Sequence, residues 1–253
     1  MSKLKNALCC ILQPHLSVHY SIINVMERKK TQLGIFLIAL LLAGVAPILF
    51  PVAQAGIASL SDLAVQFLIP SVILVVALII LAYASGHKEA GKQISNGLLA
   101  GMIGTIGLEI VRITGFKLGG MPGDMPKLLG VLLLDQFAQG PDLFSNVAGW
   151  SYHFWNGAAF GIIFSVLAGK GGIKPGILFD VLVGIGFMVS PVTRALGIGM
   201  FGLQFKDGYQ FILTVTLAHI AFGSILGWIL LRLNRNAPNI LIRLKKSFSE
   251  RTV

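Results

Sequence analysis

The sequence predicts an all-α fold: a polytopic membrane helix bundle of six transmembrane helices with both termini cytoplasmic. Three observations predict it. Charged residues make up 12% of the 253, against about 25% in a soluble domain, too few to coat a globule, so lipid is the expected solvent. Six apolar runs each approach the roughly 20 residues that a spanning helix needs. Fifteen of the twenty lysines and arginines fall in the segments on one side of those runs, which is the positive-inside pattern.

The elements follow in chain order. Residues 1–30 read as a weakly structured basic N-terminal segment, with Met26 as the expected natural start because MERKK directly precedes the first apolar run. No convincing small-residue cleavage site precedes the next apolar run, so an uncleaved anchor is preferred to a signal peptide. Cys9 and Cys10 are adjacent and frame neither a disulfide scaffold nor a spaced metal site. Residues 31–232 form the expected six-span domain. Its runs cover about Leu33–Val52, Leu63–Ala84, Gly97–Thr114, Gly149–Ala168, Gly176–Leu196 and Gln210–Leu231. Pro70 is expected to kink the second run and Pro191 to bend or end the fifth. Between the third and fourth runs lies a long loop with GGMPGDMPKLLGVLLLDQF. Asp124 and Pro126 suit the start of a short helix there, too short to cross and therefore re-entrant or interfacial. Residues 233–253 read as a basic amphipathic cytoplasmic tail on the anionic inner leaflet.

Charge placement sets the orientation. Lys3, Lys5, Arg28, Lys29 and Lys30, then Lys88 and Lys92, Lys170 and Lys174, and finally Arg232, Arg235, Arg243, Lys245, Lys246 and Arg251 share one side. The opposite side mixes Lys117, Lys127 and Lys206 with Asp62, Asp124, Asp135, Asp142 and Asp207. The net charge of +10 is thus explained by membrane orientation, and no nucleic-acid partner is expected. The expected location is a bacterial inner membrane. The expected partners are the bilayer, a small solute, and further copies in a homo-oligomer or other members of a membrane complex.

An ionisable group inside a span costs at least about 2.5–3.5 kcal/mol on insertion scales, so each such group asks for a partner or a purpose. Glu109 and Arg112 stand three apart on the third helix and can pair. His153 and Asn156 lie on the fourth, Arg194 at the end of the fifth and His219 on the sixth. His153, Gly157 and Gly161 recur every four residues, as do His219, Gly223 and Gly227, so two helices each set an imidazole above a glycine groove. Helix directions put Glu109, Arg112, His153 and Arg194 toward the outer half, His219 near the middle, and Asp180 apart in the inner half. These groups are expected to form an outward-facing polar cavity lidded by Met121, Asp124 and Met125.

Three functions fit. In the first, the cavity binds or transports a small solute or proton, with Arg112 anchoring an anionic group and the histidines exchanging protons. In the second, His153 and His219 ligate a b-type haem, and Arg112 or Arg194 meets its propionates. Counted from the apolar runs, His153 lies about four residues into its helix and His219 about nine, a mismatch of roughly 7 Å at about 1.5 Å per residue, which counts against haem. In the third, the protein is a structural or assembly subunit and the polar residues only knit helices together. No catalytic set is read: Ser151 and His153 point different ways, and no GxSxG, HExxH or nucleotide-binding glycine pattern is present.

YHFWNGAAFGIIFS, a Lys174-Pro175 turn, a glycine-bearing helix and AHIAFGSILGWILLR follow one another between Trp150 and Arg232. This third of the chain resembles the YagU-type bacterial inner-membrane proteins. The resemblance implies a multipass inner-membrane protein, leaves the MPGDMP loop without a counterpart, and carries over no catalytic residue.

Overall fold

The computed structural model describes the backbone of residues 2–206 and 208–249, and the side chains of 27–206 and 208–245. Cys9, Cys10, Asp207, Lys246 and Arg251, all discussed above, lie outside the described side chains. The described chain is all-helical. Helix α1 runs Ser2–Gln54, so its backbone is helical through the segment expected to be weakly structured. Helix α2, Leu60–Leu63, passes through a π-turn, Ala64–Leu68, into α3, Ile69–Ala84. Pro70 offers no N–H to the preceding turn, and that turn is the one that widens. Then come α4, Lys88–Lys117; α5, Met125–Leu133; α6, Leu143–Ala168; α7, Ile173–Val189; α8, Pro191–Ala195; α9, Tyr209–Leu233; and α10, Ile240–Ser249. Pro191 breaks the fifth expected span, ending α7 at Val189 and starting the short α8, which Ser190 caps by accepting the Val192 N–H.

Among the described residues, five helical segments are long and apolar enough to cross a membrane: 27–54, 60–84, 88–117, 173–195 and 209–233. The fourth expected span, α6, is not among them. It is 26 residues long and carries no Asp, Glu, Lys or Arg, but Asn146, Ser151, His153 and Asn156 dilute its first half. It also starts earlier than the apolar run suggests. The Asp142 carboxylate accepts the Ser145 backbone N–H at 2.7 Å, and Ser145 Oγ accepts the Asp142 N–H at 2.8 Å. This reciprocal cap fixes the helix start and holds the Asp142 carboxyl below its ordinary range.

The outside of the bundle is apolar. Leu41, Val65, Ile73, Ile110 and Leu178 are all exposed, as suits a surface facing hydrocarbon. At one end, which we term the basic end, Arg28 donates to the Gly86 carbonyl at 2.8 Å, joining the start of the first span to the α3–α4 turn. At the other, the loop end, α5 lies on the start of α6. Gly130 has no side chain to hold it off the Ser145 carbonyl, and Gly149 likewise sits under the Pro126 carbonyl.

Inside, α4–α6 and α7–α9 are two hairpins built on one pattern. Gly97 and Gly101 of α4 face Gly161 and Gly157 of α6, backbone against backbone. Gly172, just before α7, and Gly176 face Gly227 and Gly223 of α9 in the same way. Small residues every four positions allow this approach. One further turn along, each returning helix carries its histidine, His153 or His219. α4 also packs closely on α9, whereas α6 and α7 barely touch. The difference has a side-chain cause. Gly104 of α4 lets the Phe222 ring lie against the helix, while the equivalent place on α7 holds Phe179, whose ring meets Phe164 at 5.2 Å and Phe160 at 6.4 Å.

The basic end is closed by a polar knot. Gln93 Nε2 donates to the Ser165 carbonyl (2.7 Å), and Asn234 Nδ2 donates to Ser165 Oγ (2.9 Å). Arg243 of α10 donates to Gln93 Oε1 (2.9 Å) and lies 4.3 Å from the centre of the Phe36 ring. Gln93 is 3% exposed, so Gln93→Leu leaves its buried partners unmatched, a loss of about 1–3 kcal/mol. It is expected to release α10. Trypsin should then cut around Arg243 and Lys245 several times faster, and an unchanged rate would mean that α10 is held by other contacts.

Candidate functional site

Each hairpin presents a histidine, and each histidine meets a carboxylate. On α4, Glu109 and Arg112 share a face and pair through both carboxylate oxygens, Nε to Oε1 at 2.6 Å and Nη2 to Oε2 at 2.7 Å. His153 Nε2 lies 2.8 Å from Glu109 Oε1, close enough for an ion pair but not aligned as a hydrogen bond. The same Arg112 Nη2 reaches Asp124 Oδ1 at 3.2 Å, and Lys127 stands 4.0 Å from the other Asp124 oxygen. The loop is thereby tied to α4. On the second hairpin, His219 Nδ1 and Asp180 Oδ2 are 2.9 Å apart. Asp180 is 1% exposed, and Gly184 leaves room for the His219 ring.

His153, Arg112, Asp180 and His219 border one cavity of about 380 Å³. It occupies the gap between α6 and α7. Phe160, whose ring meets that of Phe179, lines it, as do Pro47, Phe50 and Pro51 of α1. Met121, Met125 and Leu129 line it at the loop end. Apolar walls therefore surround a polar seam of Thr105, Arg112, His153, Asn156, Asp180 and His219, the usual make-up of a small-molecule site. Among the described residues, three buried atoms on this seam have no hydrogen-bond partner: Arg112 Nη1, His153 Nε2 and Asn156 Oδ1. Asn156 uses its other end to donate to the Tyr152 carbonyl at 3.0 Å.

Five of the six expected site residues thus come together; Glu109 stands behind Arg112 and His153 rather than on the wall. Arg194 does not join them. It is exposed on α8 and off the cavity wall, because α7 stops at Val189 and Pro191 redirects the chain. Asp180, expected alone in the inner half, belongs to the site. The signal that places it was in the sequence: the glycine pairs fix the α7–α9 register, and one more turn sets Asp180 opposite His219. The depth mismatch also disappears, since His153 follows Leu143 by ten residues just as His219 follows Tyr209.

Equal depth alone does not make a haem site. A bis-histidine haem needs one free nitrogen on each ring directed at iron. His219 has Nδ1 against Asp180 and His153 has Nε2 against Glu109, so the two rings would offer different nitrogens to an iron, and no step is drawn through that group. No group of three or more His, Cys, Asp or Glu able to hold a metal ion occurs among the described residues.

Comparison with protein-family models, curated proteins and solved structures gave no match.

Proposed function

We propose that the chain is a six-span protein of a bacterial-type inner membrane, both termini cytoplasmic, that binds and carries a small solute together with protons. One observation carries this reading: two histidines, each held by a carboxylate, and a buried arginine border a single cavity between two hairpins of like pattern. Buried ionisable groups within spans ordinarily mark such paths, and binding sites between internal repeats are a common plan among carriers. The sixth span is α6, whose 26 residues reach about 39 Å at 1.5 Å each. His153 and Asn156 line the cavity, and the exposed Ser151 spends its hydroxyl within the helix, donating to the Val147 carbonyl at 2.7 Å. The basic end faces the cytoplasm by the positive-inside pattern, which directs the cavity outward under the Met121–Met125 lid. The YagU-type resemblance agrees with this placement.

The test is proton movement. Protein reconstituted in vesicles loaded with a pH-sensitive dye should dissipate an imposed pH gradient. Replacing His153 or His219 with alanine should slow that flux at least tenfold while the protein remains monodisperse. Full flux in both variants would return these histidines to a helix-knitting role.

A further inference from the structure

The chemistry of the cavity also defines the kind of molecule it takes, given the solute-binding reading above. The charges facing His153 come from several elements. α4 supplies Glu109 and Arg112; the loop and α5 supply Asp124 and Lys127; α7 and α9 supply Asp180 and His219 across the cavity. The part of α1 that lines the cavity supplies only Pro47, Phe50 and Pro51. These groups cancel in order. Glu109 is held at both oxygens by Arg112. Asp124 stands between Arg112 and Lys127 at the rim, where both Asp124 and Lys127 are partly exposed. Asp180 and His219 together need one proton to be neutral.

What remains is a site of no fixed net charge with two unspent features. Arg112, 5% exposed, lines the cavity with Nη1 unpartnered. That atom is a charged donor, and a charged donor in an apolar setting is best matched by an anionic oxygen. His153 can accept a proton beside Glu109. Apart from Thr105, Asn156, Ser190 and Thr214, the rest of the wall is apolar, with phenylalanine, proline, methionine, leucine and valine prominent, which suits an apolar body.

We propose that the ligand is a small organic monoanion, a carboxylate on a compact apolar body, bound with its head at Arg112 Nη1 and accompanied by one proton on His153. The anion and the proton enter together and the site stays neutral, so the low-dielectric cavity takes on no net charge. An amphipathic cation would instead meet the arginine fork, and the carboxylate on the wall, Asp180, is already engaged with His219 through Oδ2.

The test uses full-length protein in lipid nanodiscs, with benzoate, benzyl alcohol and benzylammonium as three bodies of one shape. Calorimetry in buffers of different ionisation heat counts the protons. Benzoate is expected to bind at least tenfold more tightly than the other two and to take up one proton. Its affinity should rise as pH falls from 8 to 6, the direction required when binding takes up a proton. His153→Gln should bind benzoate with a flat pH profile. Arg112→Lys, which keeps the charge but loses the fork, should weaken it at least tenfold. Equal or tighter binding of benzylammonium or benzyl alcohol overturns the anion assignment and leaves the solute-binding reading standing. Benzoate binding without proton uptake overturns the coupling. Binding of none of the three overturns both readings.

Discussion

Arg112→Ala is expected to destabilise the protein by about 3–5 kcal/mol, the range for stripping one partner from a buried ion pair. Glu109, 5% exposed, would keep only its misaligned contact with His153, and Asp124 would lose its link to α4. The expected result is a lower melting temperature and aggregation in detergent, read by fluorescence-detected gel filtration after heating. The double variant Glu109→Gln/Arg112→Gln should recover much of the loss, because two neutral amides at these positions leave no unpaired charge. The cycle formed by the singles and the double isolates the pair. An Arg112→Ala protein as heat-resistant as the parent would mean that Glu109 is not ionised in the bundle.

Gly101→Leu should be as damaging by a different route. A side chain at Gly101 runs into the Gly157 carbonyl and the Ala158 backbone of α6. Backbone cannot swing aside as a flexible side chain can, so α4 and α6 would have to part. Overpacking by a few methylenes costs about 1–3 kcal/mol even in a core that can adjust, and this seam has little freedom to do so. The expected outcome is a sharp fall in the yield of monodisperse protein. Two controls bracket it. Gly44→Leu meets nothing within 4 Å and should be neutral. Gly107→Ala touches mainly the Ile225 Cδ1 methyl, the mobile tip of a side chain, and should cost far less. Equal yields from Gly101→Leu and Gly44→Leu would show that the α4–α6 seam is not as close as described.

Much of this was legible because a bilayer punishes deviation. Long apolar runs, glycine spacing and the buried Glu109–Arg112 pair are direct imprints of that constraint. The limits are equally physical. The start of α6 was hidden because Ser145 and Asn146 interrupt the apolar pattern before Gly149, although Asp142 and Ser145 carried the cap signal three residues apart. The short reading of α6 then produced a false offset between His153 and His219. Asp180 was placed by counting along its own helix, whereas its position depends on which residues of α9 it faces. Arg194 was assigned by helix direction alone, and one proline sends it elsewhere. Single-helix patterns survive in sequence; contacts between helices require a register, and here the paired glycines supply it.

The exchange of Gly104 on α4 for Phe179 on α7 has a consequence for how such a cavity arises. Doubling a hairpin makes two seams that start out alike, and one bulky ring is enough to stop the second from zipping shut. Hollow space then comes from failed closure, with no loss of the contacts that hold the first seam. Its width depends on the girth of one residue, so shaving or fattening position 179 should resize the chamber while the imidazoles at 153 and 219 stay where they are.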